Sequence, residues 1–179
     1  MTVLDVLKKA ILILQDDELY KGVTDNDEEF ESEKELLLTA YNQAVTSVST
    51  YFPCSFTENF QPINGVVSYE RFTYNPYKIK SYKAENNSSS IKILPTEIRC
   101  EGDIEVTYYY FATANNVNEN YPFEGVVSVD NLIYGVLAEY LLFKGRYEES
   151  STYFDLFLKA LKNLSYRAKK PKIQAREWY

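Results

Sequence analysis

The 179-residue sequence contains no histidine. That absence removes the commonest general base, the commonest nitrogen ligand for metals, and every Ser-His or Cys-His arrangement. Cysteine is nearly as scarce. Cys54 and Cys100 are too few and too separated for a disulfide framework or a zinc site. Both are expected to be free, partly buried thiols in a reducing compartment, with a single bridge between them as the alternative. There is no glycine-rich phosphate loop and no nucleophile elbow. Long apolar runs are missing too: nothing approaches the ~20 residues needed to cross a bilayer. "AILIL" (Ala10 to Leu14) is short, and "QDDE" follows it rather than a small-residue cleavage site. These absences lead to the expectation of a soluble, intracellular protein without a membrane partner.

Positive charge is also in deficit. Nineteen Lys and Arg face 26 Asp and Glu, for a net charge of −7. A general nucleic-acid binder would need a basic face to displace counterions from phosphate. Acidic clusters do not form an obvious site either. "DNDEE" lacks the calcium-loop spacing with glycine at its sixth position. Glu148 and Glu149 are adjacent on an expected helix, so their side chains diverge. The expectation is a protein that is not an enzyme and uses no cofactor and no metal.

What is abundant is tyrosine, with 17 copies. Tyr offers a large contact area with a polar tip, which suits surfaces buried late against partners. The alternative is that it replaces Phe and Trp in strands. At this length a single domain can bury about two thirds of the surface of its unfolded chain, without staples.

Hydrophobic period divides the chain. Val3, Leu7, Ala10, Ile11 and Leu14 fall at helical spacing, and Thr2 with Asp5 can form a capping box. "DDELYKGVTDNDEEFESE" reads as an acidic, solvated loop around Gly22, with Asp25, Asn26 or Asp27 capping the next helix. That helix should bury Leu37, Tyr41, Ala44, Val45, Val48 and Phe52 and stop at Pro53. The period then changes from near 3.6 to near 2. "GVVSYERFTY", "YKIKSYKA", "IKILPTEIRC" and "IEVTYYYF" read as about four antiparallel strands. Gly102-Asp103 fits a hairpin turn between Cys100 and Ile104. "ATANNVNENYPFEG" reads as a loop. "VDNLIYGVLAEYLLFK" is apolar nearly all round and should be a central buried helix, broken at Gly145. The last helix should place Tyr147, Phe154, Phe157, Leu158 and Leu161 on its apolar side.

The expected fold is therefore α+β: a mainly helical core with a small antiparallel β insertion between the second helix and a C-terminal helical hairpin. Helices are expected near 2–14, 28–51, 127–144 and 146–164. A single domain covers 1–166, with the insertion at about 60–112, and residues 167–179 form a C-terminal arm. That arm carries the candidate partner-binding residues Lys169, Lys170, Lys172, Arg176, Trp178 and Tyr179. Its charge is opposite to that of the body, and two large aromatics end it after Pro171. Such an arm can meet acidic surface with its cations and anchor through Trp178.

The hairpin "AEYLLFKGRYEESSTYFDLFLKAL" has the look of one tetratricopeptide unit, which implies a peptide-binding adaptor. The unit occurs once, whereas a solenoid needs about three. The layout as a whole resembles another family. "MTVLDVLKKAILIL", a long helix ending in "YFP", "LIYGVLAEYLLFKGRYEESSTYFDLFLKAL" and the terminal "IQAREWY" resemble head–tail connector (adaptor) proteins of tailed bacteriophages and prophages. The resemblance covers most of the helical part, and the β insertion matches in position and character. It implies a structural virion protein that forms a homo-oligomeric ring, commonly of about a dozen copies, under the portal. Such a ring extends the DNA channel, with DNA only as passing cargo, and joins the portal to the next neck or tail protein. The implied location is the virion neck, after assembly in the bacterial cytoplasm.

Overall fold

The computed structural model describes residues 1–84, 91–123 and 127–169. The fold is α+β, with five helices and two small antiparallel sheets among the described residues, and a helical hairpin at the C-terminal end. The chain forms two compact units: Met1–Ala44 with Ala114 onward, and Val45–Thr113.

In the first unit, α1 (Val3–Leu14) starts at the expected capping box. The Thr2 amide donates to Asp5 Oδ2 (2.9 Å), and the Asp5 amide donates to Thr2 Oγ1 (3.3 Å). Val3, Val6, Leu7, Ala10 and Ile11 are buried. The acidic stretch that follows is not a loop. It contains α2 (Asp17–Asp25), capped by Asp16, whose carboxylate accepts from the Leu19 amide at 3.0 Å. Leu19 and Val23 bury one turn of it. Nine residues with two buried apolar side chains one turn apart give too weak a period to stand out among so many charges. Gly22 belongs to this helix because a Cβ there would overlap the Phe30 ring.

Asp27 then caps a single 3-10 turn, Glu28–Phe30, and α3 (Glu31–Tyr51) follows. The expected stripe from Leu37 to Val48 is buried, with Ala40 added to it, and Phe52 is half-buried. Asn42 makes a two-way clamp across 72 residues. It accepts from the Ala114 amide (2.8 Å) and donates to the Ala114 carbonyl (2.9 Å), fixing where the chain re-enters this unit.

Helix α4 (Val129–Phe143) is the buried centre, with Leu132, Ile133, Val136, Leu137 and Leu141 all inside. It ends in a Schellman turn: Gly145 sits at φ +74°, its amide donates to Leu142 O, and the Arg146 amide donates to Leu141 O. Helix α5 (Tyr147–Lys169) continues beyond the expected end at 164. Its buried face differs from the expected one. Phe157 and Leu161 are buried and Leu158 is half-buried, but Tyr147 and Phe154 are exposed. Ser150 takes the inward place and donates to the Ala138 carbonyl at 2.7 Å. A small hydroxyl allows close helix approach there, which an apolarity count does not register.

Among the described residues, the second unit holds six strands. β1 (Cys54–Phe60), β6 (Ile104–Tyr110) and β3 (Pro76–Ala84) form one sheet in that order. β2 (Val66–Ser68), β5 (Glu97–Arg99) and β4 (Lys92–Ile93) form the other. Phe60, Ile104, Val106 and Tyr108 from the first sheet share a core with Val67 and Ile98 from the second. Three expectations change. β1 lies before the expected start of the insertion. "GVVSYERFTY" is only briefly a strand before a 3-10 turn capped by Ser68. Gly102-Asp103 does not make a hairpin, because β5 already has β2 and β4 on its two edges. Instead the turn, with Gly102 at φ +92°, passes the chain to the other sheet. The true hairpin is β4–β5, closed at Leu94–Glu97 around Pro95, where the Leu94 amide donates to Glu97 O.

Candidate interaction surfaces

Charge is concentrated rather than spread. Asp16 to Glu35 holds ten carboxylates against Lys21 and Lys34, a net −8 that exceeds the −7 of the whole chain. Most of these carboxylates are exposed, including Asp25, Glu28 and Glu29. They gather where α2 and α3 begin, and the positive ends of those helices favour them. One is used structurally. Glu33 accepts from Lys144 Nζ and from Tyr140 Oη, each at 2.7 Å, so both its oxygens are engaged. The Lys144 hydrogen bond holds the Glu33 carboxyl below its usual range, against the opposing effect of partial burial. Tyr140 is pushed up, first by burial and then by Glu33. This pair lines a cleft of about 240 Å³ with Leu14, Phe30 and Arg146, and it ties the end of α4 to the start of α3.

The second unit has a contrasting surface. On the outer side of the β1–β6–β3 sheet, Tyr77 stacks on Phe111 with ring centres 4.5 Å apart, and on Tyr109 at 6.3 Å. Lys80 Nζ lies 5.4 Å from the centre of the Tyr109 ring, within cation–π range. Lys78 pairs in register with Tyr109, and Lys83 bonds Glu105 at 3.2 Å. Tyr77 is 45% exposed, and Lys78 and Lys80 are exposed with no ion pair among the described residues. The inner side is different in kind. There Tyr108 is fully buried and donates to Glu58, and Tyr110 stacks on Tyr74 with centres 4.1 Å apart. Tyrosine is therefore exposed on one side of the sheet and packed into the core on the other.

This cationic, aromatic face was not singled out from the sequence. "PYKIKSYKA" shows its lysines plainly, but bulges between Pro76 and Lys78 and between Ile79 and Ser81 alter the two-residue alternation. The partner-binding residues expected from the sequence are Lys169, Lys170, Lys172, Arg176, Trp178 and Tyr179. Lys169 is the last residue of α5, and its side chain lies outside the described residues. The other five lie outside them entirely.

Reactive groups do not converge. Cys54 and Cys100 are free, and burial raises both thiol pKa values, which disfavours thiolate. Among the described residues, no group of three or more Cys, Asp or Glu is placed to hold a metal ion. Nor is any described helix long and apolar enough to cross a membrane. What these surfaces can do is bind by charge and aromatic contact. No protein-family model matches the chain, and no curated protein matches it.

Proposed function

We propose that this chain is a structural subunit of the neck of a tailed bacteriophage, a head–tail connector that forms a ring beneath the portal. The observation that carries the reading is the resemblance centred on "YGVLAEYLLFKGRYEES", which spans the α4–α5 turn and precedes the basic, aromatic chain end. Two features support it. The molecule carries strongly segregated charge, as a subunit that meets other subunits on several faces requires. A predominantly acidic chain also lets DNA slide past without tight phosphate contacts.

On this reading the partners are other copies of the chain, the portal above and the next neck or tail protein below. The protein is not an enzyme and takes no cofactor. The arm from Lys169 to Tyr179 is an assembly element, ordered against a neighbouring subunit or the portal. The competing idea of a lone peptide-binding hairpin has less support, because α4 already buries eight residues within its own unit. The test is complementation of a phage whose connector gene is deleted, with cryo-electron microscopy of the resulting necks. A ring of this chain between portal and tail is expected. Infectious, joined particles that lack the protein would overturn the reading.

A further inference from the structure

We infer that the outer face of the β1–β6–β3 sheet is a docking surface for a second copy of this chain, and that it receives the acidic α2–α3 corner of that copy. The inference rests on the ring reading only for closure of the assembly; the pairing of the two faces stands on the charge map. One face presents Lys78 and Lys80 beside the stacked Tyr77, Phe111 and Tyr109. Cations without carboxylate partners among the described residues, next to exposed aromatics, form the kind of patch that interfaces desolvate. The other face concentrates a net −8 within 20 residues, on α2, the 3-10 turn and the first turns of α3. That corner has few cations of its own, and Lys34 is already held by Asn26 (2.5 Å) and Glu31 (3.3 Å).

The two faces lie on different elements, so each copy can give one face and receive the other. Lysines on β3 also keep that edge strand from pairing sheet to sheet, which a self-complementary β contact would need. Size sets the strength. Three strands about 4.8 Å apart and seven residues long present roughly 14 by 23 Å, well under the ~800 Å² per partner of a standard interface. A single contact is therefore weak and salt-sensitive, and closure of a ring, where every copy has two contacts, makes it durable. A single-stranded nucleic acid is the other occupant that aromatics and lysines can attract. The acidic corner of the same chain favours the protein partner.

Charge reversal separates these cases. One variant, Lys78→Glu with Lys80→Glu, makes both faces acidic. The other, Asp17→Lys, Glu18→Lys, Asp25→Lys, Glu28→Lys and Glu29→Lys together, takes the corner from −8 to +2 and makes both faces basic. All seven side chains are exposed, and circular dichroism checks that each variant is folded. Sedimentation velocity in low salt should show wild-type protein associating reversibly up to about 100 µM. Each variant alone should stay monomeric, and an equimolar mixture should recover association, because the swapped and original pairings then alternate. The inference is overturned by a wild type that stays monomeric, by the five-lysine corner variant still associating alone, or by a mixture that stays monomeric. It is also overturned if wild type binds oligothymidine more tightly than itself and the Lys78→Glu/Lys80→Glu variant loses that binding. Association in solution without incorporation into particles would sink the ring reading and leave the interface standing. Rings in particles formed by either variant alone would do the reverse.

Discussion

At the scale of single residues, packing and pairing make opposite demands. Gly135 lies in α4 where a Cβ would come within 2.9 Å of the Phe157 ring and 3.0 Å of the Ala44 Cβ. Alanine is the better helix former by about 1 kcal/mol, but overpacking costs about 1–3 kcal/mol. Gly135→Ala should therefore lose about 1 kcal/mol of stability in urea, with Phe157→Leu restoring part of it; a net gain would contradict this account. Glu33 makes the opposite kind of contribution. Its folded-state pKa lies below the ordinary value of 4.5, so its stabilisation is fully present above that value and is lost as pH falls through the folded pKa. Glu33→Gln should cost about 1–3 kcal/mol at neutral pH, because Lys144 loses its charged acceptor. As pH falls through the folded-state pKa the variant and the wild type should converge in thermal melts, since the wild-type carboxyl then also becomes neutral.

At the scale of elements, β6 is the strand on which the second unit depends. It is the middle strand of its sheet, and it places Ile104, Val106 and Tyr108 in the core. Burial, helped by Glu58, pushes Tyr108 up to about 12, and burial with the neighbouring Cys54 does the same for Tyr110. A raised phenol pKa means that folding favours the neutral form. The stability is present below the ordinary value of 10 and is lost as pH rises from 10 towards 12. Strand circular dichroism should decay in that window together with the rise of tyrosinate absorbance. Tyr108→Phe should shift the decay to higher pH while lowering stability at neutral pH, because Glu58 and the Tyr74 amide lose their phenol partner. Decay that begins well below pH 10 would point to another cause. The elements themselves were unevenly legible. Long helices such as α3 and α4 declare their period many times over. α2 is too short to do so, and β1 alternates Phe56 and Phe60 with an inward Glu58, held by Tyr108 and by the Thr73 amide.

At the scale of the whole molecule, the proposed assembly rests on the arm and the charge map. Deleting residues 169–179 should leave the thermal midpoint nearly unchanged and abolish incorporation into particles. Trp178→Ala should weaken assembly more than Lys172→Ala, since a buried aromatic anchor can contribute about 2 kcal/mol or more, while exposed charges mainly speed and orient the encounter. Added salt should weaken arm binding only in part. Normal, infectious particles made from the truncated chain would show that the arm has no role in assembly.

The sequence by itself determined which segments are helix and which are strand wherever the period repeats often enough. It determined the capping box at Thr2, the stop at Gly145 and, through the absence of histidine, that no imidazole is available. Local spacing carries all of that, because the backbone geometry of an element is set by neighbours a few residues away. Only the tertiary structure decided that β5 and β6 belong to different sheets, that Ser150 rather than Phe154 faces inward, and that Tyr77, Lys78 and Lys80 share an open face with Tyr109. Strand partners are chosen between residues distant in the chain, and bulges rotate side chains out of simple alternation. A pattern two or four residues long contains neither piece of information.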